Sequence, residues 1–546
     1  MSDFKDKVVY QIYPRSFYDT NADGVGDLRG ITEKLDYLKL LGVDYIWITP
    51  FFVSPQRDNG YDIADYRAID PRFGTMQDFE ELSAQAKLRG IGIMLDMVFN
   101  HTSTEHEWFQ KAIAGDPKYM DYYIFRDGTK DCPPTNWQSK FGGNAWAFLP
   151  ELQKWYLHLF DVTQADLNWK NPLVREELKE IIRFWKAKGV SGFRFDVINL
   201  ISKPDLFEDD NEGDGRRFYT DGKHVHEYLK ELVRDTGIAD MITVGEMSST
   251  TVENCIRYSN PAEKELSMCF HFHHLKVDYR DGDKWKLMPY DKKALTNLLR
   301  TWQERMQEGG GWSAVFWTNH DQPRTISRFG DEKEYWAQSG KMLAGLIHMM
   351  RGTPYIYQGE EIGMLNTHFD SITQYRDVES LNYYKILCGN GLTEQEALTV
   401  LGARSRDNGR TPMQWNGEKN AGFSEHEPWI AVPSSDYKVT VEAQKDDPDS
   451  IFSFYQTLIR LRKEHPAISH GTIEFQNTGT EQVMAYLRKS ADEKIAIFAN
   501  LSAESIEADL PEGAWETILL SNYEEKPLRR AGRVTLRPYE FVAYTD

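Results

Sequence analysis

At 546 residues the chain exceeds one average domain but suits a large barrel body with smaller attachments, and its 40% hydrophobic and 27% charged residues exclude a disordered or membrane-spanning protein. A formal net charge of -20 argues against binding to a nucleic-acid backbone, so any anionic ligand must be met by a local group of cations. Cys132, Cys255, Cys269 and Cys388 follow neither a zinc pattern nor a disulfide framework, and they read as reduced structural thiols.

Short apolar runs alternate with helix-like segments, the pattern of repeated βα units around a parallel sheet. KVVYQIYP (7–14) reads as the first strand, and the loop DTNADGVGD follows it. There Asp19, Asn21, Asp23 and Asp27, a turn at Gly24 and the Val25 carbonyl match the first half of a calcium-binding loop. The twelfth position is Gly30 where an EF-hand needs Glu, and a solvated Asp/Asn/Gly turn has the same composition.

The helical spacing of ITEKLDYLKLLG (31–42) leads to a second strand, VDYIWITP (43–50), and a third, GIMLDMVFNH (92–101). Residues 102–170, with GTKDCPPTNW and KFGGNAW, interrupt the repeat as a loop-rich inserted domain. VREELKEIIRFWKAKG (174–189) resumes it, followed by strands GFRFDVI (192–198), ITVGEM (242–247), LSMCFHF (266–272), AVFWTNHD (314–321) and TPYIYQGEE (353–361). Eight such units predict a (β/α)8 TIM barrel over 1–101 and 171–469. Short alternating strands such as VMAYLRK and KIAIFANL predict a C-terminal antiparallel β-sandwich over 470–546.

Polar residues break these strands where a barrel keeps its active site, at the C-terminal ends. Strand three ends in Asp96, Asn100 and His101, strand four carries Arg194 and Asp196, strand five Glu246, and strand seven Asn319, His320 and Asp321. Any one of these could be a loop cap, but independent caps have no reason to share one face. Several carboxylates with one arginine suit glycoside cleavage: Asp196 as nucleophile, Glu246 as proton donor with a raised pKa, and Asp321 binding hydroxyls and favouring the oxocarbenium-like transition state. The 13% aromatic content suits sugar rings.

DMVFNH, GFRFDVINL, VGEM and TNHD resemble the four signature regions of the α-amylase superfamily, glycoside hydrolase family 13, and QADLNW resembles its additional region. The resemblance spans essentially the whole chain and implies a barrel, an inserted domain B and retention through a covalent glucosyl-aspartate. It places Asp58 and Tyr61 from DNGYD, His101, Phe141, Arg194, His320 and Arg410 around the non-reducing glucose. It also implies one structural Ca²⁺, with Mg²⁺ as the alternative, in the Asp19, Asn21, Asp23, Val25 and Asp27 loop, and no organic cofactor.

Val197, after the nucleophile, resembles enzymes that cleave α-1,6 bonds, so isomaltose and isomalto-oligosaccharides are one substrate class. GDGRRFYTDG, GGGWSAVFWTNHDQPR and HFHHLKVDY instead resemble trehalose-6-phosphate hydrolases. The stretch HFHHLKVDYRDGDKWK (271–286) gathers three lysines, and Lys276, Lys284 and Lys286 are expected to meet the phosphate of a small phosphorylated disaccharide. A solvated loop balancing Asp278, Asp281 and Asp283 is the competing account of these lysines. His271, His273 and His274 are expected to pack or bond to backbone rather than hold metal. The start, MSDFKDKVVYQIYP, lacks an apolar signal core, so a cytoplasmic enzyme with no nucleic-acid or membrane partner is expected, its oligomeric state left open with a monomer included.

Overall fold

The computed structural model describes residues 4–433, 436–513, 515–530 and 532–546. Eight strands build the central sheet: β1 (Val9–Ile12), β2 (Tyr45–Ile48), β3 (Gly92–Met97), β4 (Gly192–Phe195), β5 (Ile242–Met247), β6 (Met268–His271), β7 (Ala314–Val315) and β8 (Thr353–Tyr357). Their order, β6-β5-β4-β3-β2-β1-β8-β7, is that of a parallel (β/α)8 barrel. The strands are almost wholly buried, as expected where helices cover a parallel sheet.

By its internal contacts the chain divides into two compact units. One comprises Trp47–His271 with Asp377–Ile386; the other comprises the segment up to Ile46, Phe272–Arg376 and Leu387–Asp546. In the first unit, the helix Pro172–Ala187 begins where Asn171 accepts a hydrogen bond from Leu173 N–H, with proline in its first turn. The insert forms an antiparallel sheet ordered Phe125–Asp127, Lys154–Leu157, Trp146–Leu149, while Gln164–Asp166 pairs with His101–Ser103. That second pairing ties the end of the insert to the residues following β3.

In the second unit, the C-terminal residues form a five-stranded and a three-stranded antiparallel sheet. Val483, Ala485 and Leu487, at period two along one strand, pack with Phe498, Ala508, Val534 and Leu536 in the core of this sandwich. Tyr486 and Arg488, on the other face, donate to the carbonyls of Leu346 and Met349, both at 2.6 Å.

Two elements differ from expectation. The helix over 31–42 is two pieces, Leu28–Glu33 and Leu35–Leu41, because Asp27 caps Gly30 N–H and starts the first turn early, and Lys34 interrupts the helix. The strand over 314–321 is cut to Ala314–Val315, and Phe316–Asp321 is a loop. Thr318 Oγ1 donates to Pro323 O at 2.9 Å and Asp321 N–H to Asn319 Oδ1 at 2.8 Å, local bonds that replace the ladder.

Candidate active site

In the first unit the β3–β4 register sets Arg194 directly opposite Asp96, two charged residues in fully buried positions. A lone charge there would be very costly, and the two meet: Arg194 Nη1 lies 2.6 Å from Asp96 Oδ1. The same Nη1 lies 2.7 Å from Asp196 Oδ1, and Nη2 is in ion contact with Glu246 Oε2, so one guanidinium joins three carboxylates. Asp196 lies just past β4 but still donates its N–H to Met97 O at 3.0 Å, which keeps its side chain on Arg194's face. Val197 then turns the chain with φ of 34°, a left-handed conformation that is strained for a β-branched residue.

Burial drives the Asp96 carboxyl up to about 7, against the Arg194 charge, with the Asp196 charge adding to the rise. Trp47 Nε1 and Tyr61 Oη donate to Asp96 Oδ2 at 3.2 and 2.8 Å, which fixes that oxygen. Burial lowers the His101 pKa, so the ring is neutral; its Nε2–H donates to Tyr61 O at 3.1 Å, since a carbonyl can only accept. Asp58, buried, accepts from Gln164 Nε2 at 3.0 Å. Phe141 meets Phe160 at 5.6 Å between ring centroids, and Phe160 meets His101 at 5.3 Å.

Lys203, which sequence reasoning did not single out, completes this network. Lys203 Nζ, buried, holds Asp166 Oδ2 at 2.6 Å and Asn100 Oδ1 at 2.5 Å, and Asn100 Nδ2 donates to Asp166 Oδ2 at 3.1 Å. Gln164 and Asp166 stand in QADLNW, so the signal was present as a motif. Nothing in the spacing of INLISKPD announces Lys203 as their partner.

In the second unit Asp321 faces three cationic or donor groups. Arg410 Nη2 lies 2.6 Å from Oδ1, Arg406 Nη1 3.4 Å from Oδ1, and His320 Nε2 3.1 Å from Oδ2. Desolvation opposes ionisation, but His320 and the two arginines outweigh it and hold the carboxyl well below the usual range. Gln11 Nε2 lies 2.7 Å from His320 Nδ1, and Tyr13 stacks on the His320 ring at 6.2 Å. Gln11, Tyr13 and Arg406 were not singled out from the sequence; the first two lie in the apolar run VVYQIY, which hides a polar role, and Arg406 shares the polar stretch SRDNGR with Arg410.

The segment after β6 is two 3-10 turns, His273–Lys276 and Arg280–Gly282. Asp278, taken in the sequence as a balancing partner for nearby lysines, is instead buried between Arg328, at 2.8 Å, and Arg404. Lys276 and Lys286 are exposed, Lys286 Nζ lies 4.0 Å from Asp283, and Lys284 Nζ lies 4.7 Å from the centroid of the Trp285 ring. Buried His274 places Nε2 2.9 Å from Phe316 O, a backbone contact of the kind expected.

In the DTNADGVGD loop, Asp19, Asn21 and Asp23 each turn a side-chain oxygen toward backbone N–H groups of the loop. Gly24 adopts φ of 86°, and a Cβ there would lie 2.1 Å from Glu427 O, so only glycine fits. Among the described residues no group of three or more His, Cys, Asp and Glu side chains is gathered as a metal site. The loop suits a hard cation only if Asn21 Oδ1 and the Val25 carbonyl join the carboxylates.

Residues 11–471 match the family model "Alpha amylase, catalytic domain" and residues 473–542 match "Maltogenic Amylase, C-terminal domain". The chain is 52% identical over 542 residues to a trehalose-6-phosphate hydrolase of Escherichia coli (strain K12), covering 99% of this chain and 98% of that one. It is 44% identical to an oligo-1,6-glucosidase of Parageobacillus thermoglucosidasius, with coverage of 99% and 98%. The crystal structure of a Bacillus licheniformis trehalose-6-phosphate hydrolase superposes with a TM-score of 0.95 at 53% identity, covering 99% of each chain. A barrel with acids at its strand ends and matches over its whole length make this chain a member of the α-amylase family, glycoside hydrolase family 13.

Proposed function

We propose that this enzyme is a retaining α-glucosidase that hydrolyses trehalose 6-phosphate to glucose and glucose 6-phosphate. The observation that carries the mechanism is the Arg194 guanidinium shared by Asp196 and Glu246. Carboxylates held by adjacent nitrogens of one guanidinium are close neighbours, which suits the about 5–5.5 Å separation of retaining enzymes better than the about 6.5–9.5 Å of inverting ones. Asp196 attacks the anomeric carbon to form the glucosyl-aspartate, and Glu246 gives its proton to the leaving oxygen and then takes one from water. Glu246 must leave its ion contact with Arg194 to hold that proton. Asp321, kept ionised by His320 and its arginines, supplies the negative charge that favours an oxocarbenium-like transition state.

The phosphorylated substrate is supported by the full-length likeness to trehalose-6-phosphate hydrolases, and a cytoplasmic setting by four free cysteines. Among the described residues no helix is long and apolar enough to cross a membrane. Val197 and the likeness to oligo-1,6-glucosidases favour a second reading, cleavage of isomaltose and isomalto-oligosaccharides. Initial rates on trehalose 6-phosphate, trehalose and isomaltose, with glucose and glucose 6-phosphate quantified separately, decide between them. The phosphorylated sugar is expected to be preferred; faster turnover of isomaltose would make the second reading correct.

A structural Ca²⁺, held by Asp19, Asn21, Asp23, Asp27 and the Val25 carbonyl, is part of the same proposal. Burial raises the Asp27 carboxyl, although Thr20 and Gly30 N–H groups oppose it, and the Asp19 charge adds to the rise. A divalent cation would relieve that repulsion while taking no part in bond cleavage. EDTA is expected to lower the apparent Tm, excess Ca²⁺ to restore it, and Asp19→Asn to erase the difference. A Tm indifferent to both additions would remove the metal from the account.

A further inference from the structure

The turn around Lys140 is held from several sides. Ser139 N–H donates to Gly143 O at 2.9 Å, Lys140 N–H to Leu159 O at 2.9 Å, Phe141 N–H to Ser139 Oγ at 3.1 Å, and Ser139 Oγ–H to Phe160 O at 2.7 Å. Neighbouring side chains on this turn diverge. Phe141 packs on Phe160 beside His101, whereas Lys140 Nζ reaches Ser248 Oγ at 3.2 Å and lies 5.7 Å from the centroid of the Tyr219 ring.

Ser248 is two residues beyond Glu246, a step of about 7 Å along extended chain. Its backbone is locked by Asn199, which accepts from Ser248 N–H at 2.9 Å and donates to Ser248 O at 2.8 Å. The group that protonates the leaving oxygen faces the leaving sugar, so side chains just past Glu246 border the substituents of that sugar. The nearby Asp214 carboxylate is held by Arg216, at 2.8 Å from Nε and 2.5 Å from Nη2, and the Lys140 charge also acts on it.

The geometry points to Lys140 as the ammonium that receives the phosphate of the leaving glucose 6-phosphate, with the Ser248 hydroxyl as a second donor. This rests on the phosphorylated-substrate reading above and assigns it a residue outside the cationic segment that follows β6. Lysine suits the task as a flexible point charge with three donors, and a chain of net charge -20 needs such a cation where a dianion must enter.

The test compares wild type, Lys140→Gln and Lys140→Arg on trehalose 6-phosphate and trehalose, together with inhibition by glucose 6-phosphate and by glucose. Lys140→Gln is expected to lower the ratio of kcat/KM for the phosphorylated over the neutral sugar by about 10- to 100-fold, through KM rather than kcat. Its Ki for glucose 6-phosphate should rise by a similar factor relative to that for glucose, and Lys140→Arg should recover part of both. Equal losses on both sugars, or an unchanged ratio in Lys140→Gln, would overturn the assignment while leaving the substrate reading intact. A wild type without preference for the phosphorylated sugar would overturn that reading, and this inference with it.

Discussion

Asp196→Asn is expected to lower kcat by at least about 10³-fold with little change in Tm, because the amide keeps the shape of the carboxylate but cannot attack the anomeric carbon. The fold should tolerate the change. Arg194 retains Asp96 at 2.6 Å and its contact with Glu246, so the guanidinium is not left without a counter-charge. Asp196→Gly makes the stronger case: an added small anion such as azide could take the vacated position, restoring turnover of an activated α-glucoside and giving a product of inverted configuration. Unchanged turnover in Asp196→Asn would transfer the nucleophile's role to another acid.

Arg194→Gln should cost both activity and stability. It leaves buried Asp96 and Asp196 and partly buried Glu246 facing one another without the cation that joins them, and breaking a buried pair typically costs about 3–5 kcal/mol. The loss should depend on pH in a definite direction. Asp96, raised to about 7 in the folded protein by burial, binds its proton more tightly folded than unfolded, where a pKa near 3.9 is usual. Its contribution to stability is therefore full below about pH 4 and is lost as pH rises through about 7. Without Arg194 the rise in pKa is larger, so the Tm deficit of Arg194→Gln should be greater at about pH 8 than at about pH 5. A deficit that stayed constant across this range would show that Asp96 is not the group left uncompensated.

The local chemistry of this site was legible along the chain because a charged residue inside an apolar strand is conspicuous. Arg194 and Asp196, two apart in GFRFDV, had to face one side, and the structure places both on one guanidinium contact at 2.7 Å. Glu246, closing ITVGEM, was legible for the same reason, and its strand has the predicted bounds. The strand of His320 and Asp321 was overestimated because Phe316 and Trp317 continue the apolar run, while side chains of Thr318 and Asn319 bond to the backbone and end the ladder.

Periodicity and strand-end polarity in the sequence by itself determined the barrel, the sandwich and the positions of carboxylates near the strand ends, since these depend on residue type and spacing along a single segment. Only the tertiary structure decided the partners. Lys203 belongs to Asp166 and Asn100, Asp278 belongs to Arg328 and Arg404 rather than to its neighbouring lysines, and Lys140 lies against Ser248, more than one hundred positions away. Such pairings carry no periodic trace, because a buried charge takes whichever counter-charge the fold brings within hydrogen-bond distance, and sequence separation has no part in that energy.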